Sequence, residues 1–168
     1  MLIETERMFI RDFDPGDVKD LHEILGDPEV MKYCEPAYDP GKTRRFLEEF
    51  CIAKKGAVAA VLKESQKVIG YILFKPRGEG VCEMGWIFNQ AYWRRGYAYE
   101  ACSALLTYGF RELGIHKVVA ETIDGVKSVG LMEKLGMKRE GVQRSQTKDN
   151  SGSWADLYLY GLLQSDVK

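Results

Sequence analysis

The chain has 168 residues, 45% of them apolar and 29% charged, enough for one domain with its own core and too apolar for a disordered chain. Its 24 basic and 25 acidic side chains leave a net charge of −1, which excludes the overall pull of a basic protein toward nucleic acid or anionic lipid. No apolar run is long enough to cross a membrane, the charged opening Met1 to Arg7 lacks a signal-peptide core, and four cysteines without a CxxC pair beside two histidines point to reduced thiols in the cytoplasm and no metal site.

Residues 7 to 11 place Met8 and Ile10 at the period of a strand. Asp14-Pro15-Gly16-Asp17 offers a turn and a helix cap, and Val18, Leu21, Ile24 and Leu25 follow at helical spacing until Gly26-Asp27-Pro28. A second helical pattern starts at Asp39-Pro40, carries Phe46, Leu47, Phe50 and Ala53, and stops at Gly56. Strands are predicted over Ala57 to Leu62, Val68 to Phe74 and Val81 to Phe88, with Pro76 to Gly80 as a hairpin loop of several residues. The first half therefore reads as an antiparallel meander behind two helices.

Ala98 to Glu112 has a helical apolar face, with Gly114 just past its end. Lys117 to Ile123 is a β-branched strand, and Val126 to Leu135 a short helix with Val129 and Met132 inward. A strand–helix–strand crossover of this length implies a parallel pair, Val81–Phe88 beside Lys117–Ile123. Met137 to Gln143 and Ala155 to Leu163 read as a closing hairpin around a polar tip at Lys148 to Ser153. The whole is one α/β domain, residues 1–168, on a mixed, mostly antiparallel sheet flanked by helices.

The chemistry concentrates at Tyr92-Trp93-Arg94-Arg95-Gly96-Tyr97-Ala98, between a strand and a helix. Backbone N–H groups at a helix start lack intrahelical partners and form an anion site. Gly96 permits close approach, Ala98 keeps the helix start open, and Arg94 and Arg95 add positive charge. A phosphate or pyrophosphate is the matching ligand; the alternative is a charged turn with two solvated arginines. Neither GxxxxGK[ST] nor GxGxxG is present, so the usual ATP and NAD motifs are excluded.

The segment Val81 to Met137 resembles the core of the GCN5-related N-acetyltransferase superfamily, whose phosphate loop follows [QR]xxGx[GA]. Here that loop reads Trp93-Arg94-Arg95-Gly96-Tyr97-Ala98, with Trp at the first position. This form, the opening Glu4-Thr5-Glu6-Arg7, the run Asp27-Pro28-Glu29-Val30-Met31, and Ser128 through Glu133-Lys134-Leu135-Gly136-Met137 to Glu140-Gly141 resemble the subgroup that acetylates ribosomal-protein N-termini. The likeness runs over roughly residues 3 to 164. It implies that the central parallel strands splay apart around acetyl-CoA. The backbone of Trp86, Ile87 and Phe88 would pair with the pantetheine arm, and Arg94, Arg95, Gly96, Tyr97 and Ala98 would hold the pyrophosphate through main-chain N–H groups. A neutral amine would then attack the thioester directly in a ternary complex.

Glu83, early in the first of these strands, is the base candidate, with Glu121 on the neighbouring strand as a second; a structural carboxylate is the alternative. Many superfamily members protonate the leaving thiolate with a Tyr whose position here is Met132. The ribosomal subgroup places a Ser at Ser128, which as a bland alternative bonds its own helix backbone. An Asn that usually stands three residues before that Ser is Gly125 here. Tyr33, Tyr38 and Phe46 are either acceptor-pocket or core residues, and Trp154 is placed at the acceptor edge. The resemblance thus implies an acetyl-CoA-dependent N-acetyltransferase acting on a primary amine, a protein N-terminal α-amine first. A polyamine or aminoglycoside acceptor and a non-catalytic acyl-CoA-binding module are the alternatives. Exposed edge strands would suit a homodimer.

Overall fold

In the computed structural model, which describes residues 1–167, a meander of five antiparallel strands opens the chain. These are β1 (Leu2–Glu4), β2 (Met8–Asp12), β3 (Ala57–Leu62), β4 (Val68–Gly78) and β5 (Val81–Phe88). Between β2 and β3 lie α1 (Val18–Leu25) and α2 (Pro40–Phe46). A 3-10 turn leads into α1, with Asp14 accepting from the Gly16 amide and Asp17 from the Asp14 amide. Asp39 caps α2 by accepting from the Lys42 amide, and Pro40 takes a first-turn position where no N–H is needed. The apolar pattern predicted through Ala53 continues α2 as wider π-helical turns over Leu47–Ala53.

The second half adds α3 (Tyr97–Arg111), β6 (Lys117–Thr122), α4 (Lys127–Lys134), β7 (Lys138–Lys148) and β8 (Trp154–Leu163). All eight strands share one sheet in the order β1-β2-β3-β4-β5-β6-β8-β7. Strand alternation sends successive side chains to opposite faces, and both faces are covered over the central strands, while β7 is largely exposed. Met84 and Phe88 of β5 join Ala101, Leu105, Val118 and Tyr160 under α3 and α4. Ile87 packs on the other side, against the layer of Leu21, Ile24, Leu47 and Tyr71 under α1 and α2. Every residue of β3 is buried, and its alanines at 57, 59 and 60 let both layers close on it.

Two expectations need correction. The stretch Pro76 to Gly80 is not a loop: β4 runs on to Gly78 and pairs with Val81, leaving a tight turn at Glu79-Gly80 with Gly80 at φ +69°. The register shifts between Pro76 and Gly78, an irregularity that accommodates a residue without an N–H. The closing hairpin is also longer than predicted, since β7 extends to Lys148.

The parallel pair is as expected in direction but short. β5 and β6 are in register only at Val81–Lys117, Cys82–Val118 and Glu83–Val119. Beyond Glu83, β5 stays with β4 as far as Phe88–Gly70, while β6 stays with β8 as far as Thr122–Tyr158. Each strand follows its own antiparallel neighbour, and a wedge opens between them in the middle of the sheet.

Candidate active site

The wedge leads into a cavity of about 890 Å³, at the upper end of the range for small-molecule and cofactor sites. One wall is the outer half of β5, with Gly85, Trp86, Ile87 and Phe88; the facing wall is Glu121, Thr122 and Asp124 at the end of β6, and α4. The backbone of β5 here has no β6 partner, so its outward N–H and C=O groups are open to an extended ligand.

The glycine-centred loop forms one end. A 3-10 turn at Gln90–Tyr92 is capped by Asn89, and Trp93 donates its indole N–H to the Phe88 carbonyl at 2.8 Å. Arg94 and Gly96 both take left-handed backbone conformations, at φ +63° and +79°. The left-handed Gly96 followed by the right-handed first residue of α3, Tyr97, turns successive main-chain N–H groups toward one side as an anion nest. No side chain caps α3, so its first-turn N–H groups stay free. Arg94, Gly96, Tyr97 and Ala98 line the cavity, whereas Arg95 does not; its guanidinium lies 5.9 Å from the Tyr92 ring.

Opposite this loop, α4 presents Lys127, Ser128 and Lys134 to the cavity. Lys127 Nζ lies 4.6 Å from the Trp93 ring and Lys134 Nζ 4.3 Å from the Tyr99 ring. These cation–π contacts hold two ammonium groups beside the anion loop. Asp124 Oδ1 accepts from the amides of Val126 and Lys127, so the start of α4 is capped without Ser128. The serine hydroxyl is half-buried in the cavity wall and is not needed for that cap. Gly125 also finds its reason: a Cβ there would lie 3.0 Å from the Tyr158 hydroxyl, which occupies the space an Asn side chain would need.

The far end is built by Glu29, Val30, Lys32, Tyr33 and Cys34 from the α1–α2 connection, with Tyr71 and Leu73 of β4. Asn150, at the tip of the β7–β8 hairpin, donates to the Met31 carbonyl at 2.9 Å and ties this connection down. Tyr33 lines the cavity; Tyr38 and Phe46 instead pack edge to face in the core, ring centroids 5.6 Å apart. Trp154 is exposed on the hairpin, its ring 5.1 Å from Lys148 Nζ, and is not part of the wall. Burial raises the Tyr71 phenol well above its ordinary range, so it stays neutral.

Glu83 sits at the last paired position, where the wedge closes, and is not itself in the wall; Glu121 is. One guanidinium joins them: Arg77 Nη1 lies 4.0 Å from Glu83 and 3.7 Å from Glu121. Sequence reasoning missed Glu29, Tyr71, Lys127 and Lys134 as wall residues, Glu29 and Lys134 having entered only as parts of the runs that carry the family resemblance. A shared spacing of seven residues on α4 was the available signal for the two lysines. His22 Nδ1 is 2.8 Å from Thr43 Oγ1 and the His116 amide bonds the Gly80 carbonyl; neither lines the cavity. No cluster of three or more potential metal-ligating side chains occurs among the described residues, and no helix there is long and apolar enough to cross a membrane.

The sequence matches the acetyltransferase (GNAT) domain over residues 7–138. It is 34% identical over 170 residues to the uncharacterised N-acetyltransferase YnaD of Bacillus subtilis (strain 168), covering 99% of each chain. A GNAT-family acetyltransferase from Bacillus anthracis superimposes with a TM-score of 0.90 at 34% identity, over 98% of this chain and 99% of that one. RimL, a ribosomal L7/L12 alpha-N-protein acetyltransferase solved with coenzyme A, shares the fold with a TM-score of 0.84 at 16% identity, over 97% and 98% of the two chains. The chain belongs to the GNAT family and is an N-acetyltransferase, in a fold that uses acetyl-CoA.

Proposed function

We propose that the chain transfers the acetyl group of acetyl-CoA to a protein N-terminal α-amine of the ribosomal-protein type. The observation that carries this reading is the wedge beyond Glu83, which opens directly onto the nest of Arg94 to Ala98. The residues suit CoA. An unpaired strand edge matches the amide-bearing pantetheine arm, and free N–H groups with Arg94, Lys127 and Lys134 match its phosphates. When bound, the co-substrate supplies an activated acyl group.

The protein's own part is positioning and proton transfer. Main-chain groups of Trp86, Ile87 and Phe88 hold the arm, and an outward β5 N–H is a donor for the charge that builds on the carbonyl oxygen. Arg94, Gly96, Tyr97 and Ala98 face the phosphates, while Arg95 contributes main chain only. The amine enters past Tyr33 and Tyr71 and loses its proton to the Glu83–Glu121 pair, of which Glu121 is the member facing the cavity. The Ser128 hydroxyl, in the cavity wall, gives its proton to the departing sulfur and is reprotonated from solvent. The ribosomal-type sequence run, and RimL's action on a protein α-amine, support the peptide acceptor. Glu29 and Glu121 in the wall favour a second reading, a small polyamine or aminoglycoside.

The test is release of the CoA thiol from acetyl-CoA with peptides that begin in Ala or Ser, the same peptides N-acetylated, spermidine and an aminoglycoside. Turnover with free peptides and none with blocked ones is expected. Turnover with the polycations alone selects the second reading. CoA binding without any turnover reduces the chain to an acyl-CoA-binding module.

A further inference from the structure

The opening Thr5-Glu6-Arg7 has no place in the chemistry above, yet it is bonded to the anion loop from behind. Glu100, in the first turn of α3, accepts from Thr5 Oγ1 at 2.7 Å, from the Arg7 amide at 2.8 Å and from Arg7 Nε at 2.7 Å. The same guanidinium donates through Nη1 to the Arg95 carbonyl at 3.0 Å and lies 4.0 Å from the centroid of the Tyr97 ring. One side chain thus touches the loop, the helix start and an aromatic of the cavity wall.

Stability accounts for the part-buried bonds to Glu100, whose side chain is 18% exposed, but explains poorly the exposed bond from Arg7 Nη1 to the Arg95 carbonyl. Peptide geometry offers a better account. The Arg95 carbonyl and the Gly96 N–H belong to one planar trans peptide, so they point in opposite directions. Gly96 has the main cavity on one side and, on the other, a shallow groove formed with Thr5, Arg7 and Glu100. A carbonyl held on the groove side turns the N–H of the same peptide toward the cavity.

We propose that Arg7 is a positioning residue for anion recognition: it pins the Arg95 carbonyl outward and so aims the Gly96 N–H at the CoA pyrophosphate. The inference rests on the acetyl-CoA reading. Arg7 touches no ligand; it fixes the one peptide whose rotation would turn a donor into an acceptor facing a phosphate. Its fork geometry matters, since one guanidinium serves the carboxylate and the carbonyl together. A lysine ammonium can hold Glu100 but offers no second donor at the required angle.

The experiment compares wild type, Arg7→Lys and Arg7→Ala. CoA affinity is measured by calorimetry, and kcat/KM is measured with acetyl-CoA and with acetyl-pantetheine, which lacks the pyrophosphate. Both variants are expected to bind CoA on the order of tenfold more weakly. The acetyl-CoA to acetyl-pantetheine ratio of kcat/KM falls by a similar factor, while Arg7→Lys keeps its melting temperature within a few degrees. An equal loss with both thioesters, or unchanged CoA affinity in both variants, overturns the role of Arg7. If wild type binds no CoA, the acetyl-CoA reading falls and takes this inference with it.

Discussion

Gly96→Ala separates backbone strain from anion recognition, because the structure makes the first small and the second large. Gly96 has φ +79°, and an added Cβ would meet nothing nearer than Arg7 Nη2 at 3.6 Å, an ordinary contact. The cost is therefore conformational: roughly 1–2 kcal/mol for a left-handed L-residue, offset by about 0.4–1 kcal/mol from a stiffer unfolded chain. A net loss of about 1 kcal/mol lowers Tm by about 2–4 °C in a domain of this size. Relaxation of residue 96 to the right-handed region costs more in binding, since the N–H leaves the nest. A hydrogen bond to a charged group is worth about 1.5–3 kcal/mol, so CoA affinity falls about ten- to a hundredfold. Gly114→Ala is the control, because Gly114 has φ +63° with nothing within 4 Å and does not line the cavity. Calorimetric titration with CoA and thermal scans on both variants decide the matter. Equal Tm losses with equal, wild-type CoA affinity would refute the assignment of this loop to the pyrophosphate.

Glu121→Gln and Glu83→Gln are expected to lower kcat about a hundredfold or more for the carboxylate that takes the proton, with acetyl-CoA KM little changed; an intact pH–rate profile in both variants removes the pair from catalysis. Burial alone would raise the Glu100 carboxyl, but bonds from Thr5 and Arg7 outweigh it and hold its pKa below the ordinary value. The stability it contributes is therefore complete above about 4.3, the unfolded value, and is lost as pH falls through the lower folded value. Thermal scans of wild type and Glu100→Gln should converge across that acidic window and stay apart at neutral pH; a constant difference contradicts the linkage. Cys34 is exposed while Cys51, Cys82 and Cys102 are buried, and burial pushes the Cys51 and Cys82 thiols up to about 12 and about 11. Ellman's reagent should titrate one thiol in the native chain, more slowly with acetyl-CoA present because Cys34 lines the cavity, and all four after denaturation.

The parts of the site made by main chain were legible in the sequence. Gly96 after a strand and before an amphipathic helix announces free N–H groups, and the crossover from Val81–Phe88 to Lys117–Ile123 announces a parallel pair. What local pattern does not encode is where pairing stops. The wedge begins after Glu83 because β5 follows β4 and β6 follows β8, a competition between distant neighbours. The same holds for Tyr71, whose period-two position in β4 looks like any core aromatic, and for Glu29, which reaches the cavity only through the path of the α1–α2 connection. Tyr38 and Tyr33, five residues apart in one segment, went to core and cavity respectively. Gly125 shows the reverse case, where the missing side chain becomes intelligible only once the Tyr158 hydroxyl is seen beside it.

The short register between β5 and β6 also bears on how the chain assembles. Three residue pairs are the whole parallel seam between two half-sheets, β1 to β5 on one side and β6, β8 and β7 on the other. The seam joins strands separated by the entire α3 crossover; β2–β3 and β6–β8 also close long connections, but over longer registers of five and six pairs. Loop closure must be met before such a joint returns any contact energy. The opening that admits a ligand is thus also a lightly stitched line in the middle of the sheet, and a ligand lying along β5 from Trp86 to Phe88 would extend the stitching just where the protein leaves it unfinished.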